Sequence, residues 1–286
     1  MARCEVCFHH CNIPEGGKGL CGARRCVNGA VISDNYGRVT SLALDPIEKK
    51  PLQRFHPGSR ILSVGSYGCN LRCPFCQNHE ISWSAEAMRL SERAETVTPE
   101  ELVAAAVRTK PRGNIGLAFT YNEPLIGWEF VRDTAALAHE AGLVNVMVTN
   151  GTAELPVLEA LLPYIDAMNV DLKGFTAHYY SDVLGGDLDE VKAFIERAAQ
   201  ACHVELTTLI VPGENDSEEE MRALTAWVSG LRDAEGGTIG RGIPLHISRF
   251  FPRFHMTDRP ATEIAKVYRL ADVAREKLDC VFTGNC

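Results

Sequence analysis

The sequence has no apolar run close to the roughly 20 residues that a membrane-spanning helix needs. Its opening, MARCEVCFHH, lacks the apolar stretch of a secretory signal. A soluble, cytoplasmic protein is the expectation. An excess of basic residues is also lacking: 29 Lys and Arg stand against 37 Asp and Glu, a net charge of −8. That balance argues against broad electrostatic capture of nucleic acid. Phosphate-binding glycine fingerprints are missing too, because Gly16-Gly17-Lys18-Gly19 has the wrong spacing and follows no strand pattern. Glu123, Asp171 and His246 could share a cleft, but no nucleophile elbow or metalloprotease helix accompanies them as a hydrolase would need. What remains is an ordinary globular chain of 286 residues, 45% hydrophobic and 23% charged.

Cysteine is where the composition departs from the ordinary. Five of the 11 cysteines fall in the first 26 residues (Cys4, Cys7, Cys11, Cys21, Cys26), and three more crowd at Cys69, Cys73 and Cys76. Disulfide frameworks belong to small secreted domains. Dense short spacings in a cytosolic chain are those of metal or cluster ligands. Cys202 and Cys280 fit buried structural thiols; the two clusters do not.

Residues 1–58 are expected to form a cysteine-rich metal- or cluster-binding knuckle followed by a β-hairpin, with Ala30–Ile32 and Val39–Leu42 split by Asp34-Asn35-Tyr36-Gly37. Residues 59–286 alternate strand and helix. Short apolar, β-branched runs at Ile61–Val64, Ile115–Phe119, Val144–Val148, Ala167–Val170, Val204–Val211 and Leu245–Ile247 each precede a segment of helical period. Thr98-Pro99-Glu100-Glu101 and Ser217-Glu218-Glu219-Glu220 are capping-box starts. Six βα units in about 220 residues predict an α/β fold, a partial, open TIM-type barrel, with a flat doubly wound sheet as the alternative.

In parallel α/β folds ligands sit beyond the carboxyl ends of the strands. Those ends here carry Cys69, Thr120-Tyr121-Asn122-Glu123-Pro124, Thr149-Asn150-Gly151, Asp171-Leu172-Lys173, Val211-Pro212-Gly213 and His246. Six polar pieces at six strand ends predict one shared site. Cys69-Asn70-Leu71-Arg72-Cys73-Pro74-Phe75-Cys76, spaced C-x3-C-x2-C, is the sharpest of them. Three thiolates on one loop hold three irons of a 4Fe–4S cluster and leave the fourth iron open. Structural zinc prefers four protein ligands, and only His79 stands nearby to complete such a set.

That loop, with Phe75 before the last cysteine, resembles the radical S-adenosylmethionine (SAM) superfamily. The resemblance implies that the open iron chelates SAM, and that reductive cleavage gives methionine and a 5′-deoxyadenosyl radical that abstracts hydrogen from a substrate. By the same resemblance Tyr121, Asn122 and Glu123 stand where the family's Gly-Gly-Glu holds the SAM amino group, with two glycines replaced. Thr149 and Asn150 match polar contacts to the ribose and methionine moieties. Asp171 and Lys173 match a SAM-contacting Asp-x-Lys, and His246 matches a late-strand residue facing the pocket.

Within the superfamily the chain is similar to pyruvate formate-lyase activating enzyme-like proteins, and to the AmmeMemoRadiSam-system proteins through Asp45–Leu52, Cys76-Gln77-Asn78, Phe119–Pro124 and Pro244–Phe250. This implies anaerobic chemistry and a reductant such as ferredoxin or flavodoxin. It also implies a protein glycine or small-molecule substrate and Memo-like or AMMECR-type partner proteins. Many such proteins continue past the position of Gly284-Asn285 into a cysteine-rich tail, whose function is expected to be absent or relocated here. The reading from a different class is an iron–sulfur or zinc protein for electron transfer or scaffolding, without SAM turnover. Cys4, Cys7, Cys11 and Cys21 supply four thiolates, which suits either zinc or an auxiliary Fe–S cluster, with Cys26, His9 and His10 as substitutes.

Overall fold

The structure is a computed structural model and describes residues 1–92 and 94–286. One eight-stranded sheet carries the architecture. Its strands are β1 (Ser41–Pro46), β2 (Arg60–Gly65), β3 (Asn114–Phe119), β4 (Val144–Thr149), β5 (Ala167–Asp171), β6 (His203–Ile210), β7 (Leu245–Arg249) and β8 (Val281–Gly284). Their order in space is their order in the chain. β1 is antiparallel to β2, and every later neighbour is parallel. A doubly wound sheet reverses its strand order at a switch point. This sheet never reverses, so right-handed crossovers put the helices on one face and leave the other as a concave interior.

The longer α-helices between parallel strands are α1 (Pro99–Arg108), α2 (Trp128–Glu140), α3 (Leu155–Leu161), α4 (Leu188–Ala199), α5 (Glu218–Ser229) and α6 (Ile264–Arg275). α1 starts with the complete reciprocal box of Thr98 and Glu101. At α5 only half of the expected box forms: Ser217 caps Glu220, but the Glu220 carboxylate accepts from the Phe175 amide at 2.6 Å instead. No helix among the described residues is long and apolar enough to cross a membrane.

The expected hairpin of Ala30–Ile32 with Val39–Leu42 does not form. Val31 pairs with Cys26, in a hairpin of Arg24–Val27 with Ala30–Ser33. Its turn is Asn28-Gly29, at φ 51° and 75°, the left-handed pair that a type I′ turn requires. Arg38-Val39 pairs with Glu95-Thr96, while Ser41 and Leu42 belong to β1. A boundary at residue 58 would cut between two hydrogen-bonded strands. β1 covers the edge of β2, so it is part of the barrel sheet rather than of the cysteine-rich segment.

The chain after β1 turns into the barrel. Ile47 and Leu52 are fully buried against Ile61, Ala118, Val146 and Ala167. Glu205, equally buried, accepts from the Gln53 and Arg54 amides at 3.0 and 2.7 Å. Removing Leu52 leaves a cavity that surrounding strands cannot close. Leu52→Ala is expected to cost about 3 kcal/mol in urea unfolding, and a loss under 1 kcal/mol would show that the segment is not part of the core.

Candidate active site

β2 ends at Gly65, and the cysteine loop follows within four residues. Gly68 sits at φ +94°, and a Cβ there would lie 2.7 Å from the Cys21 carbonyl oxygen. The loop is therefore pressed against the N-terminal segment, and the Cys69 amide donates to that same Cys21 oxygen at 3.3 Å. Arg72 holds the loop from inside: its guanidinium donates to the carbonyls of Cys69 and Leu71, each at 2.9 Å, and to that of Leu20. The Arg72 amide reaches Leu184 O at 2.7 Å. Phe75 packs edge-on against Phe250, with ring centroids 6.2 Å apart. All three thiols are free. Burial pushes Cys73 up to about 11 and raises Cys69 and Cys76 as well. The Leu71 amide donates to Cys69 Sγ at 3.4 Å, a contact that strengthens when the sulfur is a thiolate.

Glu123 and its neighbours close the site from β3 and β4. Its carboxylate is buried and accepts from Thr149 Oγ1 at 2.6 Å, the Asn150 amide at 2.8 Å and the Leu125 amide at 3.0 Å. A carboxylate offers about four acceptor positions, so these donors leave one on Oε2. Burial outweighs the three hydrogen bonds and pushes Glu123 up to about 7. Asn150 Nδ2 lies 3.0 Å from Asn70 Oδ1 and 3.7 Å from Cys69 Sγ, which ties the end of β4 to the cysteine loop. At β5, Lys173 Nζ pairs with Asp171 Oδ2 at 2.8 Å. Burial works against the charge on Lys173, but Asp171 and the nearby Cys73 outweigh it and raise the amine. Tyr180 Oη accepts from the Lys173 amide at 3.0 Å, and Tyr179 Oη beside them is buried with no partner among the described residues.

Three expected residues are turned elsewhere. Tyr121 sits at φ +73°, which sends its hydroxyl to Asp45 Oδ2 at 2.6 Å, where Lys50 also binds. Asn122 is spent on the loop backbone: Oδ1 accepts from the Ser66 amide, and Nδ2 donates to Tyr67, Gly68 and Glu123 carbonyls. His246 is aligned with Thr207 and, through it, with Asp171. Its ring nitrogen is nevertheless committed to Glu205 Oε2 at 2.6 Å, and it stacks on Phe282. The sequence reading overlooked Asn70 and Arg72, although both stand between the cysteines, where polar residues have ligand-loop backbone to hold. Nothing in the sequence pattern announces Tyr179 and Tyr180, which lie in a π-helical stretch (Tyr179–Leu184).

At the N-terminus, Cys4, Cys7, Cys11 and Cys21 line one small cavity together with His9 and Arg24. Cys26 lies outside it and donates to Glu15 at 3.5 Å. His10 faces Glu5 and Glu154 at 3.2 and 3.1 Å. His79 stacks on Phe254 rather than joining the cysteines. Among the described residues no three His, Cys, Asp or Glu side chains close to the spacing of one metal ion. A cluster does not ask for that spacing, because each thiolate binds its own iron.

The radical SAM superfamily profile matches residues 63–225, which span the loop and every strand end from β2 to β6. This chain belongs to the radical SAM superfamily. It is 40% identical over 286 residues to the uncharacterized protein MJ0808 of Methanocaldococcus jannaschii, covering 99% of this chain and 81% of that one. A more distant similarity, 28% over 183 residues, is to the pyruvate formate-lyase-activating enzyme of Clostridium pasteurianum, with 63% of this chain and 73% of the other covered. Among solved structures, QueE of Escherichia coli matches with a TM-score of 0.50 at 13% identity over 86% of this chain and 92% of that one. Streptococcus suis SuiB bound to S-adenosylmethionine matches at 0.57 and 12% identity over 77% of this chain. The chain spans about half of SuiB, 48%. These likenesses show the fold.

A radical SAM enzyme needs a 4Fe–4S cluster and SAM, and the donor set fits both. Three free thiols share a loop whose amide and guanidinium donors face sulfur and carbonyl oxygen. A buried carboxylate with an open acceptor position, an Asp–Lys pair and an orphaned phenol stand around it. Gly68→Ala is expected to melt the loop from the N-terminal segment, since it adds both a left-handed Cβ and a clash. The predicted loss is about 2 kcal/mol or more in thermal unfolding of the metal-free chain, and a neutral result would show that the close approach is not obligatory.

Proposed function

We propose that the protein reductively cleaves SAM at a 4Fe–4S cluster held by Cys69, Cys73 and Cys76 and passes the radical to a substrate bound in the barrel. When bound, cluster and SAM together supply the 5′-deoxyadenosyl radical; the chain's part is to position, neutralise and exclude water. The observation that carries this reading is the three-cysteine loop set against Glu123 and the Asp171–Lys173 pair at adjoining strand ends.

In this reading Glu123 takes the SAM ammonium on its free Oε2 position, and Thr149 and the Asn150 amide hold its carboxylate in place. Lys173 takes the SAM carboxylate as a point charge, oriented by Asp171. Asn150 steadies Cys69 and offers a polar edge to the methionine or ribose moieties. Tyr121, Asn122 and His246 act as scaffold rather than as SAM contacts, because their polar atoms are already engaged. The similarity to activating enzymes supports a protein glycine as the hydrogen donor, with a small molecule as the alternative. The AmmeMemoRadiSam resemblance supports Memo-like or AMMECR-type partner proteins. A ferredoxin or flavodoxin fits as the electron donor under anaerobic conditions.

The test is anaerobic reconstitution with iron and sulfide, then dithionite and SAM, followed by an assay for 5′-deoxyadenosine. Cys73→Ala is expected to abolish the product and to lower bound iron by about four per chain, because two thiolates hold such a cluster poorly. Product at the wild-type rate would overturn the ligand assignment. Lys173→Ala is expected to weaken SAM binding roughly tenfold while iron content stays constant, as loss of one charge-assisted contact would.

Glu123 gives a pH signature. Its ionised form dominates above about 7, and only that form brings a negative charge to an ammonium group. SAM affinity should therefore fall about tenfold between about pH 8 and pH 6, and Glu123→Gln should flatten the profile at the weak level. A profile that stays steep in Glu123→Gln would assign the titration to another group.

A further inference from the structure

We propose that Cys4, Cys7, Cys11 and Cys21 hold a second iron–sulfur cluster that serves as the one-electron entry point to the Cys69–Cys76 loop. The inference rests on the radical SAM reading above and goes beyond it, since that reading needs one cluster only.

The four cysteines between Cys4 and Cys21 line a single cavity, which is the first requirement of a ligand set. The amide of His9 lies against the Cys7 sulfur, and the amides of Ala23 and Arg24 lie against that of Cys21. Such N–H donors have little to gain from neutral thiols and much from thiolates. Arg24 supplies independent evidence of a negative occupant. It is 5% exposed and lines the same cavity, and its two terminal nitrogens are spent on Glu129 at 2.7 and 2.8 Å. Its Nε has no partner among the described residues. A buried guanidinium N–H without an acceptor is costly, and a thiolate-bound group in the cavity would supply one.

Four thiolates suit zinc as well as an iron–sulfur cluster by count. The cluster is inferred from where the site stands, since a redox group, unlike zinc, gains a use from contact with the radical loop.

The position of the cavity supplies the role. Cys21 and Cys69, one ligand from each set, are joined by a hydrogen bond through the Cys21 carbonyl. Asn70, inside the radical loop, lines the cavity, and its carbonyl oxygen lies 2.8 Å from His9 Nε2. Cys11 is half-buried, so the outer edge of the site can be approached from solvent. A low-potential donor protein would give one electron to the outer cluster, which returns to its oxidised state as the inner cluster is reduced by one electron. That electron is the one consumed when the SAM C–S bond breaks.

The test uses the full chain, reconstituted anaerobically with iron, sulfide and an equal amount of zinc. The triple variant Cys69→Ala, Cys73→Ala, Cys76→Ala isolates the outer site. It should hold about four irons and no zinc, with a reduced-cluster EPR signal that SAM does not shift. One zinc and no iron, or neither metal in a chain with native circular dichroism, overturns the proposal. In the double variant Cys7→Ser, Cys21→Ser, stopped-flow reduction of the inner cluster by reduced flavodoxin should slow at least tenfold relative to reduction by dithionite. An unchanged ratio overturns the entry role, and the inner cluster's SAM-shifted EPR signal reports that this variant is folded. Failure of the radical SAM reading looks different: wild-type protein with about eight irons would then show no SAM-dependent EPR shift at all.

Discussion

Parallel strands stop pairing at their carboxyl ends, and every backbone group beyond the last ladder bond needs another partner. In this barrel the partners are buried side chains, and they double as the frame of the active site. Asn122 satisfies the chain leaving β2 and simultaneously fixes the start of the cysteine loop. Glu123 satisfies the chain leaving β4 through the Asn150 amide and Thr149 hydroxyl. Asn150 then returns to Asn70 inside the loop, and Thr208 reaches Leu172 O between β6 and β5. The polar ring that closes the barrel mouth is thus the ring that would face cluster and SAM. A change at one member moves its neighbours, because each side chain bridges two strand ends.

The barrel interior is held by charge rather than by apolar filling alone. Burial would raise the Glu205 carboxyl, but bonds from His203, His246 and the Gln53 and Arg54 amides hold it down to about 2. Asp45, likewise opposed by burial, is held down to about 2 by Tyr121 and Lys50. Both carboxylates hold the segment that follows β1, one through its backbone and the other through Lys50. This explains why Asp45-Pro46-Ile47-Glu48-Lys49-Lys50-Pro51-Leu52 behaves as a unit: its apolar residues fill the interior and its charged ones find fixed partners there. A buried carboxylate supplied with four donors is stable where an unpaired one would not be.

Much of this was legible in the sequence, for identifiable reasons. β-branched runs followed by helical periodicity placed six parallel strands, because central strands buried on both faces must be continuously apolar. The cysteine spacing announced a cluster loop because three ligands on eight residues leave little other use for them. Pairing outside the repeat was not legible. Asn28-Gly29 is a strong hairpin signal, yet Asp34-Asn35-Tyr36-Gly37 offered a rival turn, and only the match of Ala30–Ser33 to Arg24–Val27 decides between them. His246 occupies the strand position expected of a site residue. Its destination depends on Glu205, 41 residues away in the chain, which no local pattern reveals.

Tyr121 shows how a departure from a family pattern can be read physically. A residue with a Cβ at φ +73° costs about 1–2 kcal/mol relative to ordinary backbone, where glycine would sit without strain. The phenol offsets that cost by bonding Asp45 at 2.6 Å and by lying under the Lys50 ammonium, 4.5 Å from its ring centroid. The backbone conformation that the site needs at the start of Asn122-Glu123 is thereby kept, but it is bound to the barrel floor through one hydrogen bond. Glycine would leave that turn free to move independently of the interior. With tyrosine, the residue preceding Asn122 and Glu123 is tied to Asp45 at the end of β1 and to Lys50 just beyond it.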